Sequence, residues 1–269
     1  MAVAAERAAT EAPILLQEFE ESGVLRLTLN RPAQRNALSL ALLEALIAAL
    51  DHAAEDWRVR VVIIAGSGAG FCPGHDLREM RSDPRREAYD RVFNRCSEMM
   101  QKIVRLKQPV IAEVHGIATA AGCQLVASCD LAVAAGDARF ATSGINVGLF
   151  CSTPMVALSR AIGRKAAMEM LLTGDFIDAA TAKTLGLVNQ IVPAAELRIA
   201  TDALARKIAA KSALAIALGK EAFYRQIEMD LSAAYAYTSE VMTKNMLAYD
   251  AEEGIDAFIA KRKPVWRDA

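Results

Sequence analysis

The sequence predicts an α/β protein whose sheet core is followed by a helical C-terminal region. Two apolar runs, Val59–Ala65 and Pro109–Val114, are each followed by a loop of small residues, Gly66–Gly70 and Gly116–Gly122. Continuous apolar runs of this length are typical of buried strands. From Glu196 onward the apolar spacing is helical, without a strong strand pattern. Strands that alternate with helices indicate the α/β class.

Both small-residue loops lead into a helix start, in the segments Phe71–Met80 and Cys123–Ser128. Small side chains allow a backbone N–H to come within hydrogen-bonding distance of a ligand, and the N-terminus of a helix adds partial positive charge. Two such turns can direct two backbone donors at one oxygen atom, which is the geometry of an oxyanion hole. The sequence therefore predicts a site for a developing anion.

Length and charge favour a soluble protein with one large domain. We expect a core over residues 14–195, a helical region over residues 196–269 and a disordered tail over residues 1–13. The chain has 31 Lys and Arg against 32 Asp and Glu, a net charge of −1. This balance gives no electrostatic reason to bind nucleic acid or an anionic membrane surface.

The sequence shows neither a membrane span nor a secretion signal. No run reaches the roughly 18 apolar residues that a membrane-spanning helix needs. The first 13 residues carry Glu6, Arg7 and Glu11, where a secretion signal has an apolar centre. We therefore expect a cytoplasmic protein.

Two further kinds of site are disfavoured. The five cysteines are an odd number without paired spacing, which predicts reduced core residues and no disulfide framework, zinc site or other metal site. The loop Gly66–Gly70 lacks the following Gly-Lys-Ser/Thr of a phosphate-binding loop, which argues against nucleotide hydrolysis.

The chain begins with a predicted hairpin. Alternating patterns predict strands over Ile14–Glu20 and Gly23–Leu29, separated by a short turn. Asn30–Leu38 is predicted to be a loop, and Ser39 can cap a helix over Leu40–Asp56. The helix has a clear apolar face, which we expect to pack on the sheet.

The middle of the chain continues the same alternation. Ser82–Arg91 is polar and is interpreted either as a mobile rim of a pocket or as a solvated face. Val92–Leu106 is predicted to be a helix that leads to the central strand. The remaining predicted elements are strands at Leu131–Ala135 and Ala138–Ala141, a loop at Gly144–Pro154, and helices at Arg164–Leu172 and Ala179–Leu185, the second capped by Asp178 and ended by Gly186.

Several spaced motifs resemble those of the crotonase superfamily, the enoyl-CoA hydratase/isomerase family. Phe71–Leu77 resembles F-x-A-G-x-D-L, and His115–Asp130 resembles N-G-x-x-x-G-G-G-x-E-L-x-x-x-C-D. Asn30–Leu38 resembles N-R-P-x-x-x-N-A-L, and Leu172–Pro193 and Phe258–Trp266 resemble two later patterns of the family. The motifs follow in the family's order over about Ile14 to Trp266.

The resemblance can be narrowed to a subgroup named enoyl-CoA hydratase domain-containing protein 3. The segments that carry it are Gly144–Pro154, Leu218–Tyr224 and Lys261–Trp266. The resemblance implies a crotonase (ClpP-like) fold with a repeated ββα spiral core and a C-terminal helical region. It also implies a role in fatty acid metabolism as a lyase or isomerase, with coenzyme A as part of the substrate and no permanently bound cofactor. The expected partners are an acyl-CoA thioester and further copies of the chain, as a homotrimer or a hexamer built as a dimer of trimers.

The same resemblance assigns residues to coenzyme A binding. The candidates are Arg35, Ala37, Leu38, Gly74, His75, Asp76, Leu77, Phe258 and Lys261. Two plainer interpretations stay open. The first segment also fits a solvated loop before a helix, and the residues around Lys261 also fit a basic helix C-terminus that complements the helix dipole.

The resemblance places the oxyanion donors at the backbone of His75 and Ala121, with Gly122 adjacent. Backbone donors survive side-chain substitution, so the hole can persist although the family's triple glycine is Ala-Ala-Gly here. The two glutamates that hydratases use to activate water align with Gln124 and Gly144. A glutamine amide is no base near neutral pH and a glycine has no side chain. Efficient hydration is therefore not expected.

Other groups are candidates for the proton chemistry. The His75 side chain titrates near neutrality, but it can equally pack or point to solvent. Glu79 and Asp76 are further candidates, although Asp76 also fits a helix cap. Cys151 fits an inert thiol better than a nucleophile because no neighbouring base is evident. His115 replaces the asparagine that is common in the family before Gly116, and we expect it to contact residues of the site and not the substrate.

Three functions stay open from the sequence. The first is hydration or isomerisation through a stabilised thioester enolate. The second is decarboxylation of a short acyl-CoA, because loss of CO₂ generates the enolate without a carboxylate base. The third is a non-catalytic acyl-CoA-binding or scaffolding protein, which the two missing glutamates favour. RNA binding is disfavoured by the lack of an excess of basic residues.

Overall fold

A computed structural model describes residues 12–269 of the chain. The strands are β1 (Leu15–Glu20), β2 (Val24–Leu29), β3 (Val61–Gly66), β4 (Val110–Val114), β5 (Ile117–Thr119), β6 (Leu131–Ala135), β7 (Arg139–Ala141), β8 (Ile177–Asp178) and β9 (Gln190–Val192). The helices are α1 (Leu40–Glu55), α2 (Leu77–Ser82), α3 (Arg86–Arg105), α4 (Ala121–Ser128), α5 (Pro154–Ala161), α6 (Arg164–Thr173), α7 (Ala179–Leu185), α8 (Leu197–Ala209), α9 (Ala213–Gln226), α10 (Leu231–Met246) and α11 (Tyr249–Ile259). The predicted α/β class is confirmed, while the tail predicted over residues 1–13 lies almost wholly outside the described residues.

The strands form two sheets. The larger sheet has six strands in the order β1-β2-β3-β4-β6-β9, and all its pairs are parallel except the antiparallel hairpin of β1 and β2. The smaller sheet has three strands in the order β5-β7-β8. A strand of the large sheet is followed directly by a strand of the small one in β4–β5 and in β6–β7. Each of these pairs leads to a helix, which is the repeated ββα unit.

A shortened copy of the same unit follows β3. Cys72 forms an isolated parallel bridge with Ala118 of β5, so it occupies the place of a small-sheet strand before α2 begins. The amide of Cys72 donates to the carbonyl of Ile117, and the amide of Thr119 donates to the carbonyl of Cys72. Because of this bridge, the loops that follow β3 and β5 lie side by side.

The large sheet is buried on both faces, which explains why its parallel strands are continuously apolar. Along β3, Val62 and Ile64 belong to the main core, while Val61 and Ile63 belong to a second cluster on the opposite face. Helices α1, α3 and α4 contribute to the main core, and α8 covers the second cluster. The site loops therefore rest on a rigid support.

The C-terminal helices α9–α11 are attached to the core by a polar contact at Asp130, which directly follows Cys129 after α4. Lys220 of α9 is 2.6 Å from the Asp130 carboxylate and also donates to the carbonyls of Ile103 and Gln108. The Tyr224 hydroxyl donates to Asp130 over 2.9 Å. Burial lowers the pKa of Lys220, and the negative charge of Asp130 only partly offsets this effect by raising it. The boundary expected near residue 195 stays a prediction.

One predicted helix has the wrong start, and two short elements were missed. The helix predicted over Val92–Leu106 begins at Arg86, so most of the segment Ser82–Arg91 is helical. Its polar side chains form the solvent face of an amphipathic helix, a face that carries no apolar signal. The small-residue loop contains strand β5, and α5 was not predicted. Strand β5 pairs with β7, and α5 packs against α4, so both short elements depend on segments that lie elsewhere in the chain.

Candidate active site

The turn that contains His75 is held by Leu38 on one side. The amide of Leu38 donates to the carbonyl of Gly74 over 2.8 Å, and the amide of Asp76 donates to the carbonyl of Leu38 over 3.1 Å. These two bonds use the carbonyl before His75 and the amide after it. The amide of His75 itself forms no hydrogen bond with any described residue. It is therefore free to donate to a ligand.

Polar side chains from the loop after β2 hold both the His75 turn and the loop that precedes it. Asn36 is fully buried, and its amide donates to the carbonyls of Ser67 and Gly70 over 2.8 and 2.9 Å. Arg31 is 3.0 Å from the carboxylate of Asp76. Asp76 also caps α2, as the sequence predicts. Partial burial raises the pKa of the Asp76 carboxyl, but the ion pair with Arg31 and the backbone donors together outweigh this desolvation, so the net pKa is lowered.

The second backbone donor is the amide of Ala121, the first residue of α4. The first amides of a helix have no partner within the helix, and that of Ala121 bonds to no described residue. The preceding residue, Ala120, has a φ of 49°, a left-handed conformation that is strained for alanine. Its amide is fixed by the carbonyl of Ala141 over 3.0 Å. The positive φ of Ala120 reverses the direction of the chain, so that α4 starts directly after β5.

The structure brings the two predicted donors together. A Cβ atom on Gly74 would lie 3.2 Å from the amide nitrogen of Ala121 and 3.0 Å from the Cβ of Ala120. Gly74 also has a φ of 102°, which favours glycine. His75, the next residue, therefore has its free amide beside the N-terminus of α4. Two unpaired amides and a helix N-terminus at one place can stabilise an oxyanion.

The third predicted residue of the hole, Gly122, has a packing role. A Cβ on Gly122 would lie 2.0 Å from the carbonyl oxygen of Cys72. That carbonyl is the one that accepts the amide of Thr119 in the bridge between the two loops. Glycine at this position therefore permits the two turns to approach each other.

The His75 side chain faces an apolar neighbour. Its ring lies edge-on to Phe93 of α3, with 5.5 Å between the ring centroids, and neither ring nitrogen has a hydrogen-bond partner among the described residues. Burial lowers the pKa of His75 to about 4, although the backbone of Leu38 acts to raise it. The imidazole is thus neutral at pH 7 and carries no proton to give as an imidazolium. It can still donate or accept a hydrogen bond.

The two positions that align with the family's glutamates differ in kind. Gln124 is 4% exposed, and its Oε1 has no hydrogen-bond partner among the described residues. Gly144 lies in a 3₁₀ turn over Ser143–Val147, where a Cβ would lie 2.5 Å from the carbonyl oxygen of Leu149 and 2.8 Å from the Sγ of Cys151. A side chain at position 144 therefore has no room in this arrangement.

The cysteines are buried free thiols, as predicted. Burial raises the pKa of Cys151, so its nucleophilic thiolate is disfavoured at neutral pH. Cys151 contributes by volume, because its sulfur fills the space beside Gly144. In the part of the chain that the structure describes, no three His, Cys, Asp or Glu are grouped to hold a metal ion.

The coenzyme A candidates fall into two groups. Arg35 and Leu77 are exposed beside the His75 turn, while Ala37 and Leu38 are buried beneath it and act through their backbone. Phe258 and Lys261 are exposed at the end of α11. Among residues 12–269, neither side chain forms a hydrogen bond or an ion pair with the His75 turn. In one copy of the chain they are not part of the site.

Some residues of the site were missed from the sequence. Arg31, Asn36 and Phe93 support the His75 turn and the loop before it, and Thr142 is fully buried with a hydroxyl that has no partner among the described residues. Asn36 belongs to the motif Asn30–Leu38, so its position in that motif could have indicated a role in the site. Thr142 and Phe93 gave no sequence signal because their roles depend on contacts between distant segments. Two further candidates from the sequence have structural contacts. The Glu79 carboxylate accepts the amide of Leu40, and Nε2 of His115 lies 2.9 Å from the carbonyl oxygen of Gly68.

Comparison with known proteins identifies the relatives of this chain. The family model described as enoyl-CoA hydratase/isomerase matches residues 19–269. An enoyl-CoA hydratase of Mycobacterium smegmatis is 58% identical, with a TM-score of 0.93 over 95% of this chain and 99% of that structure. The structure of human enoyl coenzyme A hydratase domain-containing protein 3 is 48% identical, with a TM-score of 0.92 over 94% of this chain and all of that one. The Xenopus laevis protein of the same name is 51% identical over 92% of this chain and 84% of its own length. The expected crotonase fold and subgroup are confirmed.

One expectation was wrong. The relatives from Xenopus laevis, rat, mouse and human are all named as mitochondrial proteins, which contradicts the cytoplasmic location expected from the sequence. The inference failed because a missing apolar centre argues only against a secretion signal, whereas mitochondrial targeting segments are amphipathic and rich in arginine. No helix in residues 12–269 has the length and apolar character needed to span a membrane.

Proposed function

Because the chain belongs to the enoyl-CoA hydratase/isomerase family, we propose that it binds an acyl-CoA or enoyl-CoA thioester in which the backbone amides of His75 and Ala121 hold the thioester oxygen. The observation that carries this proposal is the pair of unpaired amides that meet across Gly74. The oxygen gains negative charge when the thioester becomes enolate-like. Donors fixed in advance in a buried site stabilise that charge without further reorganisation.

Hydration is not the reaction that this site favours. A hydratase needs positioned groups that activate water and deliver a proton, each worth roughly 10²–10⁴-fold in rate. Gln124 cannot take a proton near neutral pH. Position 144 has no room for a side chain between Leu149 and Cys151. The neutral ring of His75 is the remaining group beside the donors.

Decarboxylation is the second candidate. The C–C bond to the carboxylate breaks, its electron pair passes into the thioester to form the enolate, CO₂ leaves, and a proton then adds to the α carbon. The first step needs no base, which fits a site without a carboxylate at positions 124 and 144. A bound substrate carboxylate would also meet no like charge there, since His75, Gln124 and Gly144 are all neutral.

The proposed assembly is a homotrimer or a hexamer. Helices α9–α11 expose large apolar side chains that one copy of the chain leaves uncovered, among them Leu231, Tyr235, Met242, Leu247 and Phe258. Covering such side chains favours association. Contact with a neighbouring copy, or with the nucleotide of coenzyme A, would give Phe258 and Lys261 their expected roles.

The test is to incubate the purified protein with a panel of enoyl-CoA and malonyl-type CoA thioesters and to follow the products by mass spectrometry, with heat-killed protein as the control. We expect thioesters to raise the melting temperature. Loss of CO₂ would identify a decarboxylase, and gain of water would identify a hydratase that uses another acid or base. Binding without product would identify a non-catalytic binding protein. Failure of every thioester to bind would refute the proposal.

The donors can be tested separately with proline. Proline is tolerated at the first position of a helix and has no N–H, so Ala121→Pro removes one proposed donor. Arg164→Pro makes the same change at the first position of α6, away from the site. We expect the first variant to weaken thioester binding and the second to leave it unchanged. If Ala121→Pro does not fold, the carbonyl stretching frequency of a bound thioester, measured with the wild-type protein, gives the answer. A shift to lower wavenumber is expected, and no shift would contradict the hole.

A further inference from the structure

A cavity of about 1080 Å³ lies between α9 and the surface formed by α3, α4 and α5. Neither proposed donor, His75 or Ala121, lines this cavity, and neither does Gly144. Its lining on α4 comes mainly from the second half of the helix, over Val126–Ser128. The cavity is therefore a compartment apart from the proposed oxyanion hole, and its volume matches the largest small-molecule sites of proteins.

The walls of the cavity carry large apolar side chains that water still reaches. Val156 of α5 is 50% exposed, and Phe223 and Ile227 of α9 are 55% and 57% exposed, although all three line the same space. Met100 of α3 lines it as a buried residue. Apolar groups that surround one space without filling it lose the free energy of burial, and an apolar ligand would restore it.

Two polar residues of the lining already satisfy each other. The Tyr224 hydroxyl donates to the carboxylate of Asp130, and Lys220 lies 2.6 Å from the same carboxylate. The negative charge of Asp130 is thus neutralised within the protein. A ligand that passes these residues meets no charge that needs a partner, which favours an alkyl chain at this place.

The lining has more positive than negative charge. It contains three arginines, Arg105, Arg160 and Arg164, and one further carboxylate, Glu228. Glu228 is 3.0 Å from Arg160, which takes up its charge. Arg105 and Arg164 form no ion pair with any residue in the part of the chain that the structure describes. Two free guanidinium groups beside an apolar space complement a ligand with an anionic head group.

Helix α9 gives the length of this space. Lys220 contacts Asp130 at one end of it, and Glu228 contacts Arg160 at the other. The stretch of α9 between these two contacts is about 12 Å long. An alkyl chain of medium length fits along it.

We propose that the cavity is a second binding site, for a medium-chain carboxylate of the fatty acid type. Its alkyl chain lies between α5 and α9, against Val156, Phe223 and Ile227, and its carboxylate pairs with Arg105 or Arg164. The inference goes beyond the proposed function, since it uses neither the two donor amides nor a thioester. A ligand in this place also joins the core to the C-terminal helices.

The head group is tested by calorimetry with decanoate and with decanol, which has the same chain and no charge. We expect the wild-type protein to bind decanoate about tenfold more tightly, as a charge-assisted hydrogen bond predicts. Either Arg105→Gln or Arg164→Gln should remove this preference and thereby identify the partner of the carboxylate. Arg139→Gln, an exposed arginine of β7 outside the cavity, is the matched control and should keep the preference.

The position of the chain is tested by filling the cavity. Ala157→Phe places a ring in the lining of α5, and we expect decanoate to bind at least about tenfold more weakly, because the ring occupies the space of the chain. Ala180→Phe on the exposed side of α7 is the control and should bind as the wild-type protein does. Saturating butyryl-CoA should leave the affinity for decanoate unchanged. If Ala157→Phe does not fold, the two arginine variants and the butyryl-CoA arm decide.

Several results would overturn this inference. They are no decanoate binding, equal binding of decanoate and decanol, and a preference that both arginine variants retain. Displacement of decanoate by butyryl-CoA would show one shared site instead of two. A changed association state of Ala157→Phe in sedimentation, without decanoate binding by the wild-type protein, would identify a second copy of the chain as the occupant. Binding of butyryl-CoA tests the proposed function separately, so the two can fail independently.

Discussion

The two halves of the proposed oxyanion hole are held in place by different means. The half that provides the His75 amide is fixed by polar groups, since Arg31 and the Leu38 backbone bond to the turn and Asn36 bonds to the loop that precedes it. The half that provides the Ala121 amide is fixed by contact, because Gly122 lies against the carbonyl of Cys72 with no space between them. The first half depends on hydrogen-bond donors, and the second depends on the absence of a side chain.

This difference has a consequence for substitution. A buried hydrogen-bond network is damaged most by a change that removes a donor at constant volume. A close backbone contact is damaged most by added volume, because backbone atoms cannot rotate away as side chains can. The two halves should therefore respond to opposite kinds of variant.

The largest effect is expected for Gly122→Ala. Its Cβ would lie 2.0 Å from the carbonyl oxygen of Cys72, so the two loops must separate, and we expect the free energy of unfolding to fall by about 3 kcal/mol or more. Gly219→Ala in α9 is the matched control, since its Cβ would meet no atom within 4 Å. It should raise stability by about 0.5–1 kcal/mol. Equal denaturation midpoints for Gly122→Ala and the wild-type protein would contradict the contact model.

A smaller effect is expected for Asn36→Asp, which keeps the volume and removes both amide donors. The carbonyls of Ser67 and Gly70 would then face a carboxylate, and we expect a loss of about 2–3 kcal/mol in chemical denaturation. Thioester binding should weaken as well, because the turn before His75 loses its support. Asn94→Asp on the exposed face of α3 makes the same chemical change without a buried partner. Equal stability of Asn36→Asp and Asn94→Asp would show that the hydrogen bonds of the Asn36 amide, here called the clamp, do not stabilise the loop.

The smallest effect is expected for the pH dependence of stability, which reports how well the His75 ring is shielded from water. Between pH 6.5 and about 4 the unfolded chain takes up a proton at His75, whereas the folded protein does not, because burial lowers the pKa to about 4. Stability should therefore fall as the pH falls through this window. The shift corresponds to about 3 kcal/mol at most, and partial exposure of the residue reduces the expected loss to about 2 kcal/mol.

His75→Gln removes this titration, so its stability should decline less steeply over the same window. His52→Gln is the control, since His52 is exposed in the last turn of α1. It should follow the wild-type profile. Parallel profiles for all three proteins would mean that the His75 ring is open to water.

The sequence predicted the local features of the site and little of what joins them. Ser39, Asp76 and Asp178 all cap the helices expected of them, because a cap acts within one turn of its own residue. The two small-residue loops were evident in the sequence, and the resemblance to the family's motifs predicted the donors His75 and Ala121. The meeting of the loops across Gly74, the clamp from Asn36 and the bond from Ala120 to Ala141 depend on strand order and register, which no short segment encodes.

The same limit explains the errors. The start of α3 was placed six residues late because only its buried face carries an apolar pattern. Strand β5 has three residues, and its strand pairing comes from β7 and Cys72, both distant in sequence. The roles of Phe258 and Lys261 remain predictions, since they depend on contacts beyond a single copy of the chain.

The contact between Gly144 and Cys151 bears on how such a site can evolve. Because the thiol and the carbonyl of Leu149 occupy the space beside Gly144, a glutamate gained there by one substitution would first meet a steric penalty. Its benefit would emerge only after position 151 and the path of the intervening loop had also changed. This dependence of one substitution on others is epistasis, and it makes the step from this site to a two-carboxylate site hard to reach. Single-site libraries at position 144 should therefore yield no hydratase, whereas libraries that vary residues 144–151 together sample the combinations required.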